Sequence, residues 1–310
     1  MPEIVITEFV MDSTIDNLSQ DYEVHYDRGL ADRQEDIPAL LGDCKGLIVR
    51  NRTRITANLL DAAPNLKVIG RLGVGLDQFD LEACKARNVE VCPALGANTV
   101  AVAEYTITAM MILLKRGIFD VNQRVIAGDW PRNDVMGLEA KNRIFGLIGF
   151  GAISREVAVR VQSLGMTVLG NDPYVAEDHP AWGKTVKASA DEVFEKSDVI
   201  SCHVPLTDET YHIIDSAAIS KMRTGTILIN ASRGGVLDEA AVIDSLKSGK
   251  LGGAAIDVFE KEPIDATSGA AFVGVPNFLI TPHVAWATDE ANVMTDNVTV
   301  ANIRRVLANG

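Results

Sequence analysis

Short apolar, β-branched runs alternate with amphipathic stretches along the whole chain, and this alternation constrains the fold more than any other feature. EIVITEFV, YEVHY, GLIVR, LKVIG and VEVCP have the length, branching and turn-rich flanks of strands. Between them, DNLSQ, IPALLGD, TANLLDAA and DQFDLEACKARN have helical spacing over one to three turns. A second series begins at residue 143. RIFGLIG, TVLGND, DVISCHV, GTILINAS, GGAAID and FLITP read as six strands, with helices at 151–164, 189–196 and 238–247. Such alternation predicts an α/β fold with parallel sheets covered by helices. Residues 99–118 form the longest helical pattern, too apolar for a solvated surface and so expected to lie buried between domains or subunits. A last helix over 287–308 has no strand after it and is expected to return to the first series.

The length of 310 residues fits two domains of roughly 150 each. With 47% hydrophobic and 23% charged residues, disordered and fibrous classes are excluded. No window approaches the ~18 uninterrupted apolar residues of a membrane span. The start, MPEIVITEFVMD, carries acids and no basic region, unlike a secretory signal. Cys44, Cys84, Cys92 and Cys202 form neither a C-x-x-C pair nor a cluster with His, so reduced thiols in a cytoplasmic protein are expected, with no metal site. The net charge of −13 argues against nucleic acid and anionic membrane as partners. An anionic small molecule would have to be bound by a few local Arg residues against the overall field.

GLIGFGAIS places Gly149 and Gly151 between a strand and a helix, with Ser154 in the third slot of a G-x-G-x-x-G pattern. The first glycine permits a tight turn, and the second lets the backbone approach a pyrophosphate at the helix N-terminus. Asp172 ends the following strand 21 residues beyond Gly151. An acid there accepts hydrogen bonds from ribose hydroxyls and repels a 2′-phosphate, so NAD is the expected cofactor. Three later segments end strands with polar residues: INASRGG with Arg233, AAIDVFEKEP with Asp257, Glu260 and Glu262, and LITPHVAW with His283. In an open α/β sheet such strand ends can share one crevice.

RLGVGLDQFD, GANTVAVAE, GFGAIS, HVPLT, NASRGG, DVFEKEP and TPHVAW occur in the order found in the D-isomer-specific 2-hydroxyacid dehydrogenases, and the chain resembles that family over nearly its whole length. The resemblance implies two Rossmann-like parallel-sheet domains, the nucleotide-binding domain (99–283) inserted into a discontinuous substrate-binding, catalytic domain (1–98 plus 284–310). It implies a hydride exchanged between nicotinamide C4 and C2 of a D-configured 2-hydroxy acid. His283 would be the acid/base, Glu262 would bond its ring and raise its pKa, and Arg233 would hold the substrate carboxylate. Backbone N–H groups around Val74 and Gly75 would cradle the same carboxylate. Thr99, Gly149, Gly151, Ala152, Ile153, Asp172, Val204, Pro205, Thr210, Ala231, Asp257 and His283 would line the cofactor, Asp257 accepting from the nicotinamide amide. Ser154 departs from the pattern and is expected to loosen helix packing slightly. His203 matches a position near the cofactor but reads as structural, His25, His179 and His212 as surface or packing residues, and Glu260 as a solvated neighbour of Glu262.

For the substrate tail, Arg50 closes a strand, and Arg52 would share its face if the strand persisted. Arg71 adds a cation beside the glycine-rich loop. The VRNRT and GRLGVGLD segments resemble those of family members that act on anionic hydroxy acids, so the resemblance, with these cations, implies an anionic C3 substituent, as in 3-sulfolactate or 3-phosphoglycerate. Enzymes for the latter usually carry further C-terminal domains, whereas this sequence stops at Gly310. Glyoxylate, hydroxypyruvate or D-lactate is the alternative, and a non-enzymatic NAD-sensing scaffold the alternative class. The family's dimer arm corresponds to a helix over 99–127 with its extension to Trp130, so a homodimer through the nucleotide-binding domain is expected.

Overall fold

The computed structural model describes residues 2–118 and 121–308, which divide into two units, Met1–Asn98 with Ala287–Gly310 and Thr99–Trp286. In the first, β1 (Ile4–Ile6), β2 (Val24–Tyr26), β3 (Gly46–Val49), β4 (Val68–Arg71) and β5 (Glu90–Pro93) form a parallel sheet ordered β2-β1-β3-β4-β5. Helices α1 (Asp12–Leu18), α2 (Ala57–Asp61) and α3 (Leu81–Ala86) connect them. Because successive strand residues face opposite sides, the core splits in two. Val5, Leu47, Val49 and Ile69 pack with Leu30, Ile37, Leu59 and Leu60 on one face. Ile4, Ile6, Ile48 and Val68 pack with Leu18, Val300 and Ile303 on the other. The segment IPALLGD differs from its helical expectation. It lies largely in a 3-10 helix over Gln34–Leu40, where Pro38 lacks the N–H an α-helix would use.

The second unit begins with α4 (Thr99–Leu114), followed by α5 (Asn122–Ile126). Its sheet contains β6 (Ile144–Ile148), β7 (Thr167–Asn171), β8 (Val186–Lys187), β9 (Val199–Cys202), β10 (Thr226–Asn230), β11 (Leu251–Ile256) and β12 (Phe278–Ile280). The order is β12-β11-β10-β9-β6-β7-β8, with every pairing parallel. Helices α6 (Ala152–Ser163), α7 (Ala190–Lys196), α8 (Ser216–Lys221), α9 (Glu239–Lys247) and α10 (Ala266–Gly269) belong to the same unit. The chain winds outward from β6 to β8 and returns to β9 on the other side of β6. The sheet therefore has its switch point between β6 and β9, where such folds bind ligands. The edge strand β8 and the single-turn α8 have no counterpart in the sequence reading, being too short to show a periodicity.

Three expectations change. The long apolar helix α4 is buried within its own unit, where Ala103, Met110 and Leu113 join Phe145, Val157, Ile227 and Ala255 in one core cluster. It stops at Leu114 because Arg116 and Gly117 take left-handed backbone angles of φ 42° and 71°. The stretch to Trp130 is thus no single helix, and two residues of it, at 119 and 120, lie outside the described residues. Residues 284–286 group with the second unit rather than the first. The N–H groups of Val284 and Ala285 donate to Asp257 at 2.9 and 2.8 Å. The last helix, α11 (Asp289–Ala308), packs on β4 and β5 of the first sheet. Among the described residues, no helix is long and apolar enough to cross a membrane.

Candidate active site

The turn from β6 into α6 carries the glycine motif. Gly149 has φ +87°, and a Cβ there would come within 2.6 Å of the His203 carbonyl and 2.8 Å of Val204 Cγ1. Gly151 is different: nothing lies within 4 Å of its would-be Cβ. It stands at the N-cap of α6 without a side-chain cap, and the first N–H groups of the helix, at Ala152 and Ile153, have no partner within the helix. A positive helix end beside room that any side chain would fill suits a pyrophosphate. Ser154, wholly buried, donates from Oγ to the Gly149 carbonyl at 2.7 Å, so it ties the loop to the helix rather than loosening it.

Asp172 follows β7. Its Oδ2 accepts the Phe150 N–H at 2.8 Å and its Oδ1 accepts the Tyr174 N–H at 2.9 Å, which places the carboxylate against the glycine loop. Beyond β9, Thr210 Oγ1 donates to the Pro205 carbonyl at 2.6 Å and accepts the Thr207 N–H at 2.8 Å, folding the VPLT segment back on itself. Tyr174 donates to Glu209 at 2.6 Å and so joins the loops after β7 and β9. His203 shares a 2.9 Å hydrogen bond with Ser201, and burial pushes its pKa down to about 4, leaving the ring neutral.

The clearest constellation lies at the ends of the neighbouring strands β10, β11 and β12. His283 Nδ1 and Glu262 Oε2 are 2.8 Å apart, and Glu262 Oε1 accepts the Phe259 N–H at 2.9 Å. Burial acts to raise the Glu262 pKa. The bonds from His283 and Phe259, with the charges of His283 and Arg233, more than offset this and hold the carboxyl below its usual range. With Nδ1 engaged, Nε2 is the His283 nitrogen that remains for proton exchange.

His283 has a left-handed φ of 56°, and the turn is held by Asp257. That carboxylate, wholly buried, accepts Thr281 Oγ1 at 2.6 Å, Val284 N–H at 2.9 Å and Ala285 N–H at 2.8 Å, while its carbonyl accepts the His283 N–H at 2.8 Å. Tyr105 on α4 adds a 2.6 Å bond to Thr281. Both Asp257 oxygens therefore accept bonds that fix the His283 turn.

Arg233 stands in the turn after β10. Asn230, wholly buried, accepts the Ser232 N–H at 3.0 Å and Ser232 Oγ at 2.7 Å, and donates to the Arg233 carbonyl at 2.8 Å. The next residue admits only glycine, because a Cβ on Gly234 would lie 1.9 Å from the Phe259 carbonyl. The Arg233 turn thus abuts the segment that bears Glu262. Glu260 is more than a solvated neighbour. It accepts from His212 at 3.0 Å and donates its N–H to Glu239 at 2.6 Å, tying that segment to α9.

In the first unit, β3 ends at Val49 and the chain turns tightly over residues 50–53. Glu8, only 4% exposed, gathers this turn: Oε1 accepts the N–H groups of Arg50 (2.9 Å), Arg52 (3.2 Å) and Thr53 (3.0 Å), and Oε2 that of Asn51 (3.2 Å). Arg50 donates from Nη2 to Asn292 Oδ1 at 2.9 Å and lies 5.7 Å over the Phe9 ring. Burial lowers its pKa, and the charges of Asp296 and Glu8 oppose that shift. Since the strand does not persist, Arg52 does not share the Arg50 face and pairs with Asp32 instead. Val74 and Gly75 follow β4. Arg71 donates to the carbonyls of Gly75, at 2.8 Å, and Leu72, so its guanidinium lies beside that loop and braces it from within. Sequence reasoning passed over Glu8, Asn230 and Thr281, whose partners are mostly backbone groups.

Among the described residues, no group of three His, Cys, Asp or Glu side chains could hold a metal ion. All four cysteines are buried, and burial pushes Cys44 and Cys92 to about 11 and Cys202 to about 12, leaving them as thiols.

Comparisons with known proteins agree with this geometry. The chain is 43% identical to the (S)-sulfolactate dehydrogenase of Chromohalobacter salexigens, over 99% of each. It is 36% identical to the D-3-phosphoglycerate dehydrogenase of Archaeoglobus fulgidus, over 94% of this chain but 54% of that protein. The crystal structure of D-lactate dehydrogenase from Aquifex aeolicus, complexed with NAD and lactic acid, superposes with a TM-score of 0.86 at 28% identity, over 99% of this chain and 96% of that one. Residues 108–285 match the family described as D-isomer specific 2-hydroxyacid dehydrogenase, NAD binding domain. The chain belongs to the D-isomer-specific 2-hydroxyacid dehydrogenases and is an NAD-dependent oxidoreductase of that class.

Proposed function

We propose that the enzyme interconverts a D-configured 2-hydroxy acid bearing an anionic C3 substituent, 3-sulfolactate ahead of 3-phosphoglycerate, with its 2-oxo acid. The observation that carries the chemistry is the 2.8 Å His283–Glu262 pair on strand ends next to that of Arg233. In the oxidising direction His283 Nε2 takes the proton of the C2 hydroxyl, and in reduction it returns that proton to the C2 oxygen. Glu262 holds the ring by Nδ1 and gives the imidazolium a counter-charge. Arg233 grips the substrate carboxylate through its fork of donors and polarises the C2 carbonyl. Backbone N–H groups at Val74 and Gly75 share that carboxylate. Bound NAD supplies the hydride acceptor or donor at nicotinamide C4. Gly149, Gly151, Ala152 and Ile153 would hold its pyrophosphate and Asp172 its ribose, with Thr99, Val204, Pro205, Thr210 and Ala231 along its remaining length. Asp257 would accept from the nicotinamide amide while it positions His283.

The tail assignment is supported by Arg50, held by Glu8 and Asn292, and by the 43% identity to a sulfolactate dehydrogenase. Exposed Ile126, Trp130 and Met136 in and after α5 support a homodimer through the second unit, and the four reduced, buried cysteines suit the cytoplasm. The test is NADH formation at alkaline pH with 3-sulfolactate, 3-phosphoglycerate, D-glycerate and D-lactate, each with NAD and NADP. Turnover should be fastest with 3-sulfolactate and NAD. Equal or faster turnover of D-lactate would remove the anionic tail from the proposal.

A further inference from the structure

Arg50 is the centre of a charge arrangement more elaborate than one cation requires. Glu8, 4% exposed, holds the four consecutive residues of the Arg50 turn by their N–H groups. Asp296 on α11, 2% exposed, spends Oδ2 on the Met11 N–H at 2.9 Å and Thr14 Oγ1 at 2.7 Å. Its buried Oδ1 has no hydrogen-bond partner among the described residues. A buried carboxylate oxygen left without a donor is costly unless a nearby charge compensates it, and the Asp296 charge acts on Arg50. One guanidinium therefore stands with two buried carboxylates. Other cations of the region are committed elsewhere or exposed: Arg52 pairs with Asp32, Arg71 donates into its own loop, and Arg54 lies at the surface.

We propose that Glu8 and Asp296 set the charge of the tail that Arg50 accepts, selecting a singly charged sulfonate over a doubly charged phosphate, an inference that rests on Arg50 reading the tail. A monoanion takes the guanidinium N–H that Asn292, a neutral amide, now accepts, and its single charge is opposed by two carboxylates that already offset Arg50. A second negative charge is opposed by the same two carboxylates again, so a doubly charged tail is disfavoured more than a singly charged one. Neither acid touches the reacting carbon, so both are specificity-positioning residues.

The ratio of kcat/KM for (S)-sulfolactate to that for 3-phosphoglycerate, measured with NAD in the wild type, Asp296→Asn and Glu8→Gln, reads this directly. The ratio should favour sulfolactate in the wild type and fall by about tenfold in Asp296→Asn, roughly the loss of one partly screened charge repulsion. Glu8→Gln should move it in the same direction. Thermal unfolding and NAD binding establish that each variant is folded. If neither folds, the wild type's own pH dependence decides. Phosphate loses its second charge below about pH 6, so the ratio should fall between pH 7.5 and 5.5. A ratio unmoved in the folded variants, or unmoved by pH, overturns the inference. If Arg50→Ala weakens both acids while Asp296→Asn leaves the ratio alone, charge selection fails and tail reading stands. If Arg50→Ala leaves both acids as they were, tail reading itself fails.

Discussion

Two turns of this molecule, one in each unit, are built by the same device and present different chemistry. In the first unit the buried carboxylate of Glu8 collects backbone N–H groups from residues 50–53 and presents Arg50. In the second, the buried carboxylate of Asp257 collects Thr281 Oγ1 and the Val284 and Ala285 N–H groups and presents His283. Each acid follows or ends a parallel strand and fixes a turn remote in sequence. A buried carboxylate suits this task because it accepts several bonds and leaves a turn without it with unsatisfied N–H groups. The difference lies in what partners the presented side chain. Arg50 donates to the neutral amide of Asn292, which an anion would replace on the proposed reading. His283 meets a second carboxylate, Glu262, which holds the ring by Nδ1. On the proposed reading one turn serves recognition, the other proton transfer.

The sharpest way to break that division is to remove the presented groups. His283→Asn should lower kcat by at least ~10²-fold on every 2-hydroxy acid, as expected for loss of a general acid/base. Near-normal turnover by stopped-flow or steady-state assay would remove the acid/base role. Removing the holders should give smaller and distinguishable effects. Asp257→Ala leaves two N–H groups and a hydroxyl without their acceptor, which should cost about 2–4 kcal/mol in urea unfolding. It should also lower kcat by about tenfold, more than it raises KM, because a misplaced His283 acts in the transition state. Glu8→Ala should do the reverse and raise KM for an anionic-tailed acid more than it lowers kcat. If both variants shift the same kinetic parameter, the two turns do not divide the work.

The gentlest probe is pH. Glu262 is held below the ordinary carboxylate range, so its contribution to stability is fully present above its unfolded value of about 4.3. That contribution is lost as pH falls through the lower folded value. The difference in Tm between wild type and Glu262→Gln should therefore be constant from pH 7 to about 5 and shrink in more acidic buffer. A difference that instead grows on acidification would contradict the ion-pair geometry.

The same contrast explains what the sequence could and could not reveal. The sheets were legible because strands buried on both faces read as continuous apolar runs. Gly149 and Gly151 were legible because a missing side chain is itself a written signal, one enforced by the His203 carbonyl and the other by open space. Arg233, Glu262 and His283 were legible as a set through the family resemblance. Glu8 was not, because its partners are backbone N–H groups, which every residue but proline possesses and no pattern marks. Asp257 was legible through the resemblance as a cofactor contact, but its hold on the His283 turn was not, since two of its partners are backbone N–H groups. Arg71 was legible as a cation beside the loop, but not its turn back to carbonyls four residues or fewer away. The short β8 and α8 carry too few residues for either periodicity.

The division between recognition and chemistry is tested most directly by one comparison of kcat/KM, for 3-sulfolactate and for glyoxylate, across wild type, Arg50→Ala and His283→Asn. Arg50→Ala should depress sulfolactate turnover at least tenfold more than glyoxylate reduction, roughly the worth of a charge-assisted bond, whereas His283→Asn should depress both alike. Equal losses on the two substrates in Arg50→Ala would contradict the account.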